Sequence, residues 1–356
     1  FTTMQRTAVK NCRRSICLGL NLLSERVSKS ARMHHLKATA ILRLGIWFSR
    51  PNEKKQNASA QTTQARFAKG KQMRYQYSFA EKCVEVCSEL LLTEDRNSAL
   101  FRSSQESPHD LRIILKRSQN LSAVYGEMIW QSEFFRLFCV GENQLIQTLD
   151  RRDGHLLMEA VFSLHSPEVT LWVREDFPPE LARMQQIWQA VSLPSQLMRY
   201  GVLSLHSASV LTDNGVILFC GHSGVGKSTQ AELWRVYENA SVLNGDRNAL
   251  TVTKNGAIAH GLPFCGTSGI CRSYDLPLRA VIALEQSDKN AIRRLGGIDA
   301  LQALMGNALG LLPGDSSIAR WELFSAAAHH VPVYHLACTP DNRAVRLLKT
   351  TLEEGN

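Results

Sequence analysis

Apolar residues between Met73 and Phe177 recur in short runs, and several runs alternate with polar residues as strands do. The runs cover residues 111–115, 127–130, 134–140, 144–149, 155–164 and 169–173. Turn-forming residues separate them, for example at 141–143 and 153–154. This spacing predicts an antiparallel meander, in a small β-rich module over residues 73–178 that ends at Pro178-Pro179.

Beyond residue 178 the chain mixes helical and strand-like patterns. Strands are predicted at residues 202–211, 216–220, 240–243, 249–252, 257–260, 276–284 and 333–336. Helices are predicted at residues 180–198, 227–237, 299–311, 317–328 and 342–352. Because the two kinds of element do not alternate regularly, the expected fold class is α/β with a mixed sheet (α+β). This second domain would cover residues 179–356.

One segment of the second domain matches a known phosphate-binding pattern. Residues 221–228 fit G-x-x-x-x-G-K-[ST], between a predicted strand and a predicted helix. Glycines in such a loop let the backbone adopt positive φ and direct N–H groups to one point, and the helix dipole adds to the attraction for phosphates. Lys227 would contact the β/γ-phosphates and Ser228 would hold Mg²⁺. The predicted nucleotide-binding residues are Gly221, His222, Ser223, Gly224, Val225, Gly226, Lys227, Ser228 and Thr229.

Two residues outside the loop are candidates for chemistry. Asp246 follows the predicted strand 240–243, where a carboxylate could hold Mg²⁺ or act in catalysis. The alternative interpretation is that Asp246 is only a turn residue after Gly245. His206 lies on the strand before the loop strand, joined to it by a predicted hairpin turn at 212–215. It would contact a phosphate or the acceptor, or would instead be a hydrogen-bonded histidine on a buried strand.

A loop at residues 261–270 is rich in Gly, Ser and Thr, as loops that close over a substrate often are. Residues 266–269 are candidates for part of an acceptor lid. Arg272 and Arg279 are candidates for stabilising charge in a transition state, and ordinary solvated arginines are the alternative.

The net charge of +9 comes from the beginning of the chain. Residues 1–72 contain 15 of the 41 Lys and Arg but only two of the 32 Asp and Glu. Nucleic-acid binding is therefore not predicted from the overall charge. Three interpretations of this leader remain open: a transit-type presequence, a disordered basic arm, or sequence upstream of a native start at Met73. The last is favoured, and poor order is expected through residue 72.

The nine cysteines include no C-x-x-C pair, and the eleven histidines are scattered. A zinc site or a disulfide framework is therefore not expected, and a reducing, cytoplasmic compartment fits. No run reaches the length needed to span a bilayer, so no membrane association is predicted.

The segment from Leu205 to Leu284 resembles the catalytic domain of HPr kinase/phosphorylase and its relatives, which share a P-loop core with ATP-dependent phosphoenolpyruvate carboxykinase. The resemblance lies in LHSASVL, VILFCGHSGVGKST, the acidic turn after a strand, and LPLRAVIALEQ. It implies a carboxykinase-like P-loop fold in which His206 lies by the phosphates. It also implies that Lys227 and Ser228 contact the nucleotide and Mg²⁺, and that Asp246 serves in metal binding and proton transfer.

In one respect the chain departs from that family. The family has two successive acidic residues at the strand end, whereas the first position here is Gly245. The N-terminal module does not match the regulatory domain of the bacterial protein-serine kinases, so the HPr carrier is not implied as an acceptor.

The leading hypothesis is an ATP- and Mg²⁺-dependent phosphotransferase, in which His206, Lys227 and Asp246 are the catalytic residues and Ser228 and Asp246 hold the metal. Its acceptor would be a hydroxyl on a protein, a peptide or a small molecule, and a homo-oligomer is possible. The alternatives are a non-catalytic ATP-binding regulator and a carboxykinase-type enzyme.

Overall fold

The computed structural model describes residues 72–104, 107–121, 126–310, 312 and 318–355. The predicted leader at 1–72, apart from its last residue, lies outside the described residues, and so does the expectation of its poor order.

Eight strands of the described residues form the first sheet. They are β1 (Met73–Phe79), β2 (Lys82–Ser88), β3 (Leu111–Ser118), β4 (Glu127–Gln131), β5 (Phe135–Val140), β6 (Asn143–Leu149), β7 (Leu156–Ser163) and β8 (Glu168–Arg174). Their order is β1-β2-β3-β8-β7-β6-β5-β4. Strands β4 to β8 pair antiparallel in succession, which confirms the meander there. The predicted antiparallel pairing is wrong for β3, which pairs parallel with both β2 and β8.

Among three short helices in the described part of the chain, the second packs on this sheet. They are α1 (Arg96–Ala99), α2 (Met184–Ala190) and α3 (Leu193–Met198). Helix α2 packs on β6 and β7. Its Trp188 is fully buried and makes edge contacts with the rings of Tyr77 and Phe79, at centroid distances of 5.0 and 5.2 Å. Aromatic burial of this kind is a large part of the stabilisation of the sheet.

The single helix predicted at 180–198 is wrong, because the chain breaks it in the middle. A 3₁₀ turn (Pro179–Leu181) precedes α2, and Ser192 separates α2 from α3 with a φ of +51°. Pro194 lies in the first turn of α3, where its missing N–H costs nothing. The same proline could not continue a helix from α2.

The second sheet contains the other strands in the described part of the chain. They are β9 (Leu203–Thr212), β10 (Gly215–Cys220), β11 (Ser241–Asn244), β12 (Arg247–Thr253), β13 (Gly256–Gly261), β14 (Asp275–Gln286), β15 (Ala291–Leu295) and β16 (Val333–Cys338). Their order is β10-β9-β12-β13-β14-β16-β15, with β11 beside β9. Strand β14 also pairs parallel with β10, so β9, β12, β13, β14 and β10 form a closed ring.

Helices cover both faces of the second sheet. Helix α4 (Lys227–Tyr237) and helix α7 (Asn342–Glu354) bury Trp234, Val345 and Leu348 in a cluster with Phe219 and Ile282. Helices α5 (Gly297–Asn307) and α6 (Ile318–His330) contribute to a second cluster that includes Leu304 and Phe324. Burial of these apolar faces is the main driving force that fixes the helices on the sheet.

The mixed α/β class is confirmed, with two large mixed sheets. The carboxykinase-like P-loop fold and the division at residue 178 stay predictions. Strand β15 was missed, because at this edge of the sheet its Arg293 and Arg294 side chains are exposed and the run has no apolar alternation. None of the described helices has the length and apolar character needed to cross a membrane.

Candidate functional site

The glycine-rich loop connects β10 to α4. Strand β10 ends at the buried Cys220, and Gly221, Gly224 and Gly226 follow with φ values of +148°, +83° and +110°. At Gly221 there is also no space for a side chain, since an added Cβ would lie 2.7 Å from Cγ1 of Val225. The sequence folds into this loop because glycine adopts such backbone conformations at little cost.

Lys227 begins α4 and turns its side chain back over the loop. Its Nζ donates hydrogen bonds to the carbonyl oxygens of Gly221 at 2.9 Å and His222 at 3.1 Å. Burial lowers the pKa of Lys227 below its ordinary value, and the charges of Cys220 and Asp246 oppose that shift. An ammonium group in this position can form a charge-assisted hydrogen bond with an anion bound in the loop.

Other residues complete the surroundings of the loop. Val225 is buried, while Gln286 at the end of β14 donates from Nε2 to the carbonyl of Gly224 at 3.0 Å. The side chains left exposed among the predicted nucleotide-binding residues are those of His222, Ser223, Ser228 and Thr229. The β10, β14 and β16 strands run parallel, so their carboxyl ends meet at this edge, where α/β sheets usually bind ligands.

His206 and Asp246 are brought together by strand pairing. Strand β9 pairs with β12 up to His206, which lies opposite Arg247, and with β10 from Ser207, which lies opposite Cys220. His206 Nε2 lies 3.4 Å from Oδ1 of Asp246. The backbone N–H of Ser207 also donates to the carbonyl of Asp246 at 2.9 Å. The predicted histidine and carboxylate therefore lie next to each other and beside the end of β10.

The electrostatic surroundings of Asp246 keep it ionised. Burial pushes its pKa up, but the hydrogen bond with His206 and the charges of Arg247 and Lys227 outweigh this and leave the pKa below its ordinary value. Nε of Arg247 lies 3.2 Å from Oδ2 of Asp246, and its guanidinium lies 4.7 Å from the ring centroid of Phe264. The charge of Lys227 also contributes to lowering the pKa of Asp246.

Asn244 fixes the turn that carries Asp246. Its side chain is fully buried, and its Oδ1 accepts from the N–H groups of Asp246 at 2.9 Å and Arg247 at 3.2 Å. Its Nδ2 donates to the carbonyl of Leu262 at 2.9 Å. Sequence reasoning missed Asn244 and Arg247, although an Asn before Gly-Asp is a signal for a side-chain-stabilised turn.

The two arginine candidates lie in different surroundings. Arg279 donates to the carbonyl of Leu352 on α7 and lies next to the first residues of β10, at the opposite end from the glycine loop. The structure therefore does not bring Arg279 to the candidate site. Arg272 lies in the loop between β13 and β14 and is exposed.

Chemically, the arrangement combines backbone N–H groups, a buried lysine, one carboxylate and a histidine. Within the described residues, no group of three or more His, Cys, Asp or Glu forms a metal site by itself. Mg²⁺ bound to a nucleotide does not need such a group, because it uses one or two protein oxygens together with phosphates and water. Asp246 and Ser228 are oxygen donors of the kind that this ion takes.

Comparisons with known proteins assign no family to this chain. No family model matches it, and no curated protein matches it. Among solved structures, it is similar to the HPr(Ser) kinase/phosphatase from Coxiella burnetii, with a TM-score of 0.25 and 12% identity, covering 43% of this chain and 99% of that one. A TM-score of this size is too low to assign a fold or a function, so the resemblance drawn from the motifs stays a prediction.

Proposed function

We propose that this chain is an ATP- and Mg²⁺-dependent phosphotransferase that transfers a phosphoryl group to a hydroxyl of a protein, a peptide or a small molecule. Two observations at this edge of the sheet carry the proposal: His206 Nε2 lies 3.4 Å from Asp246, and the Lys227 ammonium is held by the carbonyls of the glycine loop.

In this proposal each residue has a separate task. The loop N–H groups and Lys227 bind the triphosphate, and Ser228 and Asp246 hold Mg²⁺. The metal supplies positive charge that stabilises the charge developing on the phosphates. Asp246, held ionised by its neighbours, accepts the proton of the acceptor hydroxyl directly or through water, and His206 orients this carboxylate. Most of the rate enhancement then comes from positioning and charge stabilisation.

A second candidate is an ATP-binding regulator without turnover. It is supported by the single carboxylate at the strand end, where Gly245 precedes Asp246. That carboxylate already contacts His206 through Oδ1 and Arg247 through Oδ2. One group engaged in this way has to serve both the metal and the acceptor.

Nucleotide binding is tested by calorimetry of the full chain with MgATP. We expect Lys227→Met to lower the affinity by about 100-fold or more, because a charge-assisted phosphate contact is lost from a buried site. The matched control is Lys254→Met, in the exposed turn between β12 and β13, which should leave the affinity unchanged. Equal affinities for Lys227→Met and the unaltered chain would contradict the nucleotide site.

Transfer is tested by incubating the full chain with γ-labelled ATP, Mg²⁺, serine-containing peptides and small alcohols. We expect Asp246→Asn to reduce transfer by about 10²–10⁴-fold, the usual contribution of a general base, while MgATP still binds. Asp213→Asn, in the exposed turn between β9 and β10, is the control and should transfer normally. Binding of ATP by the unaltered chain without transfer or ATP loss would favour the regulator instead.

A further inference from the structure

Gly245 precedes Asp246 and has no space for a side chain. A Cβ built on Gly245 would lie 2.0 Å from Oγ and 2.5 Å from Cβ of Ser268, closer than real Cβ atoms come to any neighbour. Its φ is not positive, unlike that of Gly266 or Gly269. Glycine is therefore required at 245 by the proximity of Ser268 and not by the backbone conformation.

Ser268 belongs to residues 262–274, which we call the covering loop. Its Oγ donates to the carbonyl of Cys265 at 2.7 Å and accepts from the N–H of Ile270 at 3.2 Å. The N–H of Gly245 in turn donates to the carbonyl of Ile270 at 3.3 Å. The hydroxyl is thus held firmly in the space that a side chain at 245 would need.

The covering loop also lies against the carboxylate of Asp246. A Cβ built on Gly266 would lie 2.9 Å from Cβ and Cγ of Asp246 and 3.2 Å from its Oδ1. Gly266 has a φ of +56°, so a second glycine permits this close approach. Only 17% of the Asp246 side chain is exposed.

The covering loop is attached at two further places. Nδ2 of Asn244 donates to the carbonyl of Leu262 at 2.9 Å, which holds the beginning of the loop on β11. Nδ2 of Asn97 on α1 donates to Sγ of Cys265 at 3.1 Å, which joins the loop to a helix that packs against α2. The loop is therefore fastened from both sides while it lies on Asp246.

We propose that the contact between Gly245 and Ser268 holds the covering loop closed over Asp246, and that a hydroxyl acceptor reaches this carboxylate only when that contact opens. Gly245 and Ser268 then determine access to the site without taking part in the chemistry. The reference to an acceptor rests on the phosphotransferase function proposed above, whereas the closed state of the loop does not depend on turnover.

The test is alkylation of the native full chain with iodoacetamide, followed by mass spectrometry of each cysteine. Cys265 and Cys271 lie partly buried in the covering loop, and burial raises the pKa of Cys271 to about 12. Since the thiolate is the reactive form, opening the loop exposes both thiols and lowers that pKa. We expect Gly245→Ala to accelerate labelling of both by about tenfold. Cys139, partly buried on β5, is the internal reference and should not change.

Two further variants separate opening from general damage. Ser268→Gly removes the atoms that a side chain at 245 would meet, so adding Gly245→Ala to Ser268→Gly should cause no further acceleration. Ser268→Leu, at an exposed position, should open the loop while Gly245 is unchanged. Alkylation of Cys265 and Cys271 should then be faster, which keeps the test valid even if Gly245→Ala fails to fold.

The proposal is overturned if neither Gly245→Ala nor Ser268→Leu accelerates labelling. It is also overturned if Gly245→Ala accelerates labelling equally with and without Ser268→Gly, because the effect would then not pass through Ser268. These readouts need no ATP. A chain that binds no nucleotide but shows the expected labelling would contradict the phosphotransferase while leaving the closed loop in place.

Discussion

At the scale of single residues, a buried carboxylate in the first sheet shows how charge is compensated in this fold. Glu85 on β2 is 5% exposed, and its Oε2 accepts from Nε of Arg112 at 2.7 Å. Burial pushes the pKa of Glu85 up, but the bonds from Arg112 and Cys87 and the charges of Arg112 and His109 leave it below the ordinary value. The folded chain therefore favours the ionised form.

This pKa shift predicts a loss of stability in acid. A carboxyl whose pKa is lower in the folded chain stabilises the fold above its unfolded pKa of about 4.3, and loses that contribution as the pH falls through its folded pKa. We expect Glu85→Gln to lower the free energy of unfolding by about 1–2 kcal/mol at neutral pH. The difference should disappear in acid, as measured by urea denaturation over a pH series.

The control for this prediction is Glu168→Gln. The side chain of Glu168 is 47% exposed and lies 3.5 Å from Nη1 of the same Arg112. Exposed ion pairs contribute little, so its effect on unfolding should be small at every pH. A pH-independent deficit for Glu85→Gln would show that packing, and not the charge, is responsible.

Residue positions in the candidate site illustrate what the sequence could predict. The loop from Gly221 to Ser228 follows from a local pattern, since glycines, lysine and serine at that spacing have one well-known use. The proximity of Arg247 to His206 depends on strand pairing, and the packing of Ser268 on Gly245 depends on a loop that meets the turn between β11 and β12. No local pattern of apolar and polar residues encodes such contacts.

At the scale of elements, the turn between β1 and β2 is strained. It consists of Ala80 and Glu81, with φ values of +51° and +63°, where hairpins of this kind usually have Asn and Gly. Neither residue adopts positive φ without cost. The pairing of the two strands, rather than the preference of the turn residues, therefore holds this hairpin in place.

Relieving that strain should stabilise the protein. We expect Glu81→Gly, at an exposed position, to raise the free energy of unfolding by about 1 kcal/mol, because a side chain in the left-handed region costs about that much. Gly154→Ala is the opposite control: its φ is +73° and no atom of the described residues lies within 4 Å of an added Cβ, so only the backbone cost applies. Chemical denaturation should show a higher free energy of unfolding for Glu81→Gly and a lower one for Gly154→Ala. Changes of the same sign in the two variants would contradict this explanation.

Elements with a clear alternation were predictable, and others were not. In β3, buried and partly exposed residues alternate from Leu111 to Leu115, so the pattern is visible in the sequence. Strand β2 is buried on both faces from Val84 to Ser88 and carries Glu85, so it lacks that alternation. The break at Ser192 depends on a left-handed backbone conformation at a residue type that seldom marks one.

At the scale of the whole molecule, the segment after the predicted boundary at 178 contributes to the first sheet. Trp188 donates from Nε1 to Oγ of Ser98 at 3.0 Å and contacts the rings of Tyr77 and Phe79. The N–H of Gln185 donates to Oδ2 of Asp95 at 3.0 Å. The sheet and helix α2 therefore share one core, whichever domain α2 is assigned to.

This shared core predicts how fragments behave. We expect a fragment of residues 73–178 to be unfolded or aggregated, because removing α2 exposes the apolar face of the sheet. A fragment of residues 73–201 keeps α2 and α3 and should give a cooperative thermal transition by circular dichroism. Equal folding of both fragments would show that α2 is dispensable and would support a boundary at 178.

Strand β9 lies between β10 on one edge and β11 and β12 on the other; its pairing with β12 ends at His206, and its pairing with β10 begins at Ser207. Side chains along a strand point alternately to opposite faces, so one inserted residue before position 206 would turn the imidazole to the other side of the sheet. The same insertion would shift the register of β9 against the strands on both of its edges. Length variation in this strand is therefore far more damaging than substitution, and deletions or insertions tolerated by the chain should fall in its turns.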